Sequence, residues 1–229
     1  MAGNLMRIVG VMPMAGAGSR LGLPFHKALA PTFMADGQMV PLFRHAYDRL
    51  SVITDVIVSV LSLEAREDPC MAAIPQPILY KTTRGEAPSS ITVAAGAYPG
   101  SWLAVVLPDT IWYPENGMAV AAGALADDVD GVLVTFRGPG SALDEVMHDD
   151  RFVKRIIQKR ANHPGLVEGW GAFIVKADRA VEWDDSIYLS GNLDQMTLRW
   201  VPLEGSYYDL GTPEQYRLAA MQRDWPGHV

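Results

Sequence analysis

Residues 7–14, "RIVGVMPM", are apolar on both faces of an extended chain and run straight into a cluster of small residues, "AGAGSRLG" at 15–22. A strand with no polar face must be covered from both sides, which crossover helices do for parallel strands. The same alternation continues along the chain. Apolar or β-branched runs at Thr54–Ser62, Gln76–Tyr80, Ser101–Asp109 and Asp130–Phe136 are separated by helical spacing at Val40–Leu50, Glu64–Ala73, Ala87–Tyr98 and Glu115–Leu125. This pattern predicts a doubly wound sheet, with helices on both faces.

The second half is organised differently. Ala142–Lys159 reads as two strands about a turn at Asp149-Asp150, an antiparallel hairpin. Trp170–Asp178 is a further strand, and residues 212–225 form a closing helix with Thr212 as N-cap, Pro213 first in the helix and Glu214 and Gln215 behind it. No repeat, low-complexity tract or linker divides the chain. The expected fold is α/β: a Rossmann-like, doubly wound mixed, mainly parallel sheet with an antiparallel hairpin in its second half, residues 1–229 forming one domain.

Composition narrows the partners. With 19 basic against 26 acidic residues the formal charge is −7, which argues against broad nucleic-acid binding. An anionic small substrate then needs cations gathered locally. No apolar run approaches the roughly 20 residues that span a bilayer, and the N-terminus lacks a signal-peptide pattern. Cys70 is the only cysteine and has no internal disulfide partner, so a reducing, cytoplasmic setting is expected, with no membrane association.

The small residues after the first strand supply such a local site. Gly16 and Gly18 let backbone N–H groups approach phosphate oxygens. Arg20 adds a planar fork of donors, and Lys27, seven positions on, a mobile point charge. The spacing does not match a Walker loop, and a dinucleotide fingerprint fails at its third glycine, where Leu21 stands. A glycine loop with two cations suits a nucleoside triphosphate and phosphoryl or nucleotidyl transfer from it, because charge builds on phosphate oxygens in the transition state.

The stretches "MAGAGSRL" and "FHKALAP" resemble the opening motif of the sugar-phosphate nucleotidyltransferases, A-A-G-x-G-[ST]-R-[LM] followed by P-K; His26 stands where the family has proline. "YYDLGTPEQYRLA" (207–219) resembles the family's W-x-D-I-G-T-P-E segment, and "VKRIIQKR" its V-x-x-I-x-E-K-P strand, with Gln158 for the glutamate and Arg160 for the proline. "GWGAFIV" resembles N-A-G-[IL]-Y-[VF], and the likeness runs from about residue 6 to residue 220.

The resemblance implies a set of roles. Ala15, Gly16, Gly18, Ser19 and, through "RGEAPSS", Gly85 would bind the nucleotide. Arg20, Lys27 and Lys159 would act on the transferring phosphates, and Asp109 and Asp209, one hundred residues apart, would hold Mg²⁺. Gln158, Trp170 and Gly171 would line the acceptor. The triphosphate would occupy about residues 1–137, and a phosphorylated small-molecule acceptor about 138–229. The expected reaction passes a nucleotidyl group from an NTP to a sugar 1-phosphate and releases pyrophosphate. Two alternatives stay open: cytidylyl transfer to a non-sugar phosphate such as choline phosphate, and a nucleotide-binding homologue without turnover.

Overall fold

The computed structural model describes residues 6–221 except 17–21, 24, 35, 76, 82–86, 141, 161–162 and 164. In chain order the first half contains β1 (Ile8–Pro13), β2 (Pro31–Phe33), β3 (Met39–Pro41), α1 (Phe43–Ser51), β4 (Ile57–Ser62), β5 (Ile78–Lys81), α2 (Ala87–Ala97), β6 (Trp102–Val106), β7 (Thr110–Tyr113) and α3 (Gly117–Gly123). The second half contains β8 (Gly131–Pro139), β9 (Glu145–His148), β10 (Val153–Ile157), β11 (Leu166–Lys176), α4 (Ala177–Ala180), α5 (Leu189–Asp194), β12 (Leu198–Leu203), β13 (Ser206–Asp209) and α6 (Pro213–Met221).

Nine of these strands share one sheet. Its main path runs β5-β4-β1-β6-β11-β8-β12. The β1–β4, β1–β6, β4–β5 and β8–β12 pairs are parallel, while β11 is antiparallel to both β6 and β8. Six strands of this path therefore run one way and β11 runs against them. The fold is the expected mixed, mainly parallel α/β sheet.

The two-faced character of β1 is explained by its burial. Val9 and Val11 enter the core beneath α2, with Ile91 and Ala94, while Met12 and Met14 enter the opposite core with Phe43, Ala46 and Leu50 of α1. Successive strand side chains alternate in direction, so each face receives its own helix layer. Gly10 permits the close approach of α1: an added Cβ would sit 3.2 Å from Leu50 Cβ and 3.1 Å from Ile57 Cγ1.

Some sequence expectations change in detail. Glu64–Ala73 is two 3₁₀ turns, Leu63–Glu67 and Pro69–Ala73, because Pro69 offers no N–H and Asp68 caps a new turn through Cys70 N. The β9–β10 hairpin forms, but its turn is longer than Asp149-Asp150. The Asp149 carboxylate accepts from both Arg151 N and Phe152 N, at 2.8 and 2.7 Å. The Lys154 ammonium and those two N–H groups hold Asp149 well below the usual carboxylate range. The closing helix begins as expected, with Gln215 N donating to the Thr212 hydroxyl, which donates in turn to Gln215 Oε1. No helix among the described residues is long and apolar enough to cross a membrane.

Candidate active site

Asp109 lies in the tight turn between β6, in the main sheet, and β7, outside it; the Thr110 hydroxyl closes that turn on Leu107 O at 2.9 Å. Strand β7 pairs antiparallel with β13, in a register that sets Asp209 opposite Thr110. Leu210 N then donates to Asp109 O at 2.8 Å. A two-stranded ribbon thus brings together two carboxylates that are remote in sequence. The segment "DLGTP" is fixed by its own local contacts. Asp209 Oδ1 accepts from Gly211 N at 2.9 Å, Leu210 is buried, and Thr212 caps α6.

Each carboxylate meets a lysine. Lys27 Nζ lies 2.5 Å from Asp109 Oδ2, both side chains being less than one-fifth exposed. Lys159 Nζ lies 3.4 Å from Asp209 Oδ2 in a more open setting, 45% exposed on the lysine side. Removing water from a charge pair costs free energy, so the more enclosed Lys27–Asp109 pair is a poor choice for stability alone.

Strand β11 pairs with β6 from Ala172 onward and with β9 at Gly169, so the β9–β10 hairpin continues the sheet past the end of β6. Its far strand delivers Gln158 and Lys159 to the wall of a cleft of about 270 Å³, whose floor includes Asp109, Asp209 and Tyr207. The cleft lies beyond the carboxyl ends of β6 and β10, where ligands of open α/β sheets bind. Asp144 completes the wall: its Oδ1 accepts from the backbone N–H of Lys159 at 2.9 Å, anchoring the residue whose ammonium reaches toward Asp209.

Trp170 lines the same cleft, and Gly171 does not. Between Trp170 and Ala172 the β11–β8 register shifts, because Gly171 is the extra residue of a β-bulge. The ring of Tyr207 lies over it: a Cβ on Gly171 would stand 2.5 Å from Tyr207 Cε2 and 2.8 Å from Phe136 Cε2. Gly171 therefore shapes the site through Tyr207, and the tyrosine is the group that faces the ligand space. Burial, then the fields of Asp209, Asp109 and Asp144, push its hydroxyl well above the ordinary phenol value, so it stays a hydrogen-bond donor.

Gly18, Ser19, Arg20 and Gly85 lie outside the described residues. Ala15 and Gly16 follow β1 at the same carboxyl edge as Asp109, since Val11 of β1 pairs with Val105 of the parallel β6. A magnesium ion fits the donors present. Asp109 and Asp209 offer only oxygen, and among the described residues no group of three or more His, Cys, Asp or Glu forms a dedicated cage. A hard cation that takes one or two carboxylates and completes its shell with phosphates and water needs no more.

No protein-family model and no curated protein matches this chain. Solved structures do. A Bacillus anthracis protein assigned as a glucose-1-phosphate thymidylyltransferase, solved with sucrose, superposes with a TM-score of 0.74 at 14% identity, over 95% of this chain and 96% of that one. A UDP-glucose pyrophosphorylase solved with UDP-glucose gives 0.72 at 15% identity, over 94% and 97%. The inositol-1-phosphate CTP transferase of T. maritima gives 0.67 at 15%, over 92% and 91%. The chain has the sugar-phosphate nucleotidyltransferase fold. Within that fold, Asp144, Tyr207 and Tyr188 line the cleft without having been singled out by sequence. Asp144 belongs to no recognisable motif. Tyr207 sits inside one, two residues before Asp209, but only the pairing of β13 with β7 shows which way its ring turns.

Proposed function

We propose that the protein is an enzyme that transfers a nucleotidyl group from an NTP to a phosphorylated small molecule of the sugar 1-phosphate class, releasing pyrophosphate. The observation that carries this reading is that Asp109, paired with Lys27 behind it, and the Lys159–Asp209 pair line one cleft at the carboxyl edge of the sheet. The likeness to structures named as nucleotidyltransferases supports it.

In this mechanism the triphosphate lies along the glycine loop, and a phosphate oxygen of the acceptor attacks the α-phosphorus in line as the bond to pyrophosphate breaks. Lys27, with Arg20, neutralises charge growing on the leaving pyrophosphate. Lys159, on the open side of the cleft, swings away from Asp209, and its ammonium holds the acceptor phosphate. Tyr207 donates a hydrogen bond into the cleft, and Gln158 and Trp170 bound the acceptor. Asp109 and Asp209 would hold Mg²⁺, which when bound offsets charge on the phosphates. Positioning and charge neutralisation carry such a transfer without a covalent enzyme intermediate.

A second reading keeps the chemistry and changes the acceptor to a non-sugar phosphate. It is favoured by the aromatic wall formed by Trp170 and Tyr188, and by uncharged Gln158 where the resemblance implies glutamate. Each NTP crossed with sugar 1-phosphates and non-sugar phosphate monoesters, at millimolar Mg²⁺, tests both readings. The expected result is pyrophosphate release for one NTP–acceptor combination, together with a raised Tm for that NTP. A raised Tm without pyrophosphate from any combination would instead identify a silent nucleotide-binding homologue.

A further inference from the structure

His26 occupies the position where the resemblance implies proline, immediately before Lys27. Its Nε2 lies 2.7 Å from Met14 O, and its Nδ1 lies 3.3 Å from the backbone N of Ala28. A carbonyl accepts only from an N–H, so Nε2 carries the proton; an amide donates only to a bare nitrogen, so Nδ1 does not. The two partners together assign a neutral ring and a single tautomer.

Both partners are rigidly held. Met14 belongs to the sheet, its own N–H donating to Val60 O at 2.8 Å. Ala28 is fully buried in the 3₁₀ turn Lys27–Leu29, which is closed by Leu29 N to His26 O and Ala30 N to Lys27 O. Residues 15–25, the glycine loop, lie between these anchors. The His26–Met14 bond therefore links positions twelve apart in the chain. The backbone of His26, with φ −61° and ψ 130°, is one that proline adopts. Proline would restrict φ there but has no atom that reaches Met14 O.

We infer that His26 is a positioning residue: bonded to Met14 O at the end of β1 and to Ala28 N, it holds the turn that aims Lys27 at Asp109. The inference rests on the transferase reading above. The placement of the Lys27 ammonium that meets the triphosphate's charge is then set by His26. Transfer rates depend on such placement to within about 1 Å, a displacement that costs on the order of 100-fold.

A mutant cycle for nucleotidyl transfer tests this. His26→Ala is expected to lower kcat about 10- to 100-fold, with KM for NTP changed less than about threefold. Because His26 acts through Lys27, adding His26→Ala to Lys27→Ala should cost less than about threefold more. Losses that multiply in the double variant would overturn the inference. Should His26→Ala not fold, His26→Pro, suited to this φ, replaces it in the cycle with the same expected non-additivity. A second readout needs no turnover: ¹⁵N NMR of the wild-type protein at pH 8 should show His26 protonated at Nε2 and bare at Nδ1, with the Ala28 amide protected from exchange. The opposite tautomer, or a rapidly exchanging Ala28, would also overturn it. Absence of wild-type transfer with the expected NMR result would refute the transferase reading and leave the clamp standing.

Discussion

Stability between pH 7 and pH 5 should be controlled in large part by one histidine. His45, on α1, is fully buried, and neither ring nitrogen has a hydrogen-bond partner among the described residues. One turn later Arg49, also buried, donates Nη1 to His45 O at 2.6 Å and Nη2 to Trp112 O, with its guanidinium 4.7 Å above the Trp112 ring. Burial, with a smaller push from the Arg49 charge, lowers His45 from 6.5 to about 3. The folded value lies below the unfolded one, so the unfolded chain takes up a proton as pH falls below 6.5 and the folded chain does not. Stability is therefore lost progressively on acidification, and this slope ends only near pH 3, where both states are protonated. Integrated from pH 7 to pH 5, the loss is about 2 kcal/mol. For a chain of this length that is about 4–8 °C in Tm.

The assay is urea unfolding of wild type and His45→Met at both pH values. Methionine fills the space without a titrating group, and all exposed carboxylates cancel in the comparison. The variant should lose about 2 kcal/mol less than wild type between pH 7 and pH 5. An equal loss in the two proteins would show that His45 is solvated or paired, and the argument from its burial would be wrong.

Three further outcomes follow from the cleft. Asp109→Asn and Asp209→Asn should each reduce transfer about 100-fold or more while leaving far-ultraviolet circular dichroism unchanged; near-normal turnover of both at limiting Mg²⁺ would exclude them as metal ligands. Asp144→Ala frees the Lys159 backbone and should raise the acceptor KM about tenfold with calorimetric NTP affinity unchanged, whereas Asp144→Asn, which keeps the acceptor oxygen, should stay within about threefold of wild type. Gly171→Ala drives a methyl group into the Tyr207 and Phe136 rings and should cost about 1–3 kcal/mol by urea unfolding while weakening acceptor binding; an unchanged midpoint would mean that the bulge relaxes freely.

Much of this protein was legible in one dimension because its signals are local. The two-faced apolar runs of β1, β4 and β6, the proline in the first turn of α2, and the Thr212–Gln215 cap each arise within a few residues, and each forms. The lysines and carboxylates of the candidate site were also singled out in sequence, since Lys27, Asp109, Lys159 and Asp209 sit at the ends of strands or within motifs. The short strands β7 and β13 were not. Neither has a face that only a strand explains, and each is held extended by the other, across ninety or more residues of intervening chain.

What the sequence alone determined was the layered α/β class and the identity of the charged groups. Tertiary structure decided which charges meet, because the β7–β13 ladder sets Asp209 beside Asp109 and the hairpin root brings Lys159 to Asp209. It also decided that Gly171 serves as a bulge beneath Tyr207 rather than as a wall of the cleft, and that Asp144 and His26 anchor the backbone around the two lysines. The physical reason is range. Propensity, capping and periodicity act between neighbours in the chain, whereas hydrogen bonds and ring contacts between distant residues exist only once the sheet has put them within a few ångströms of one another.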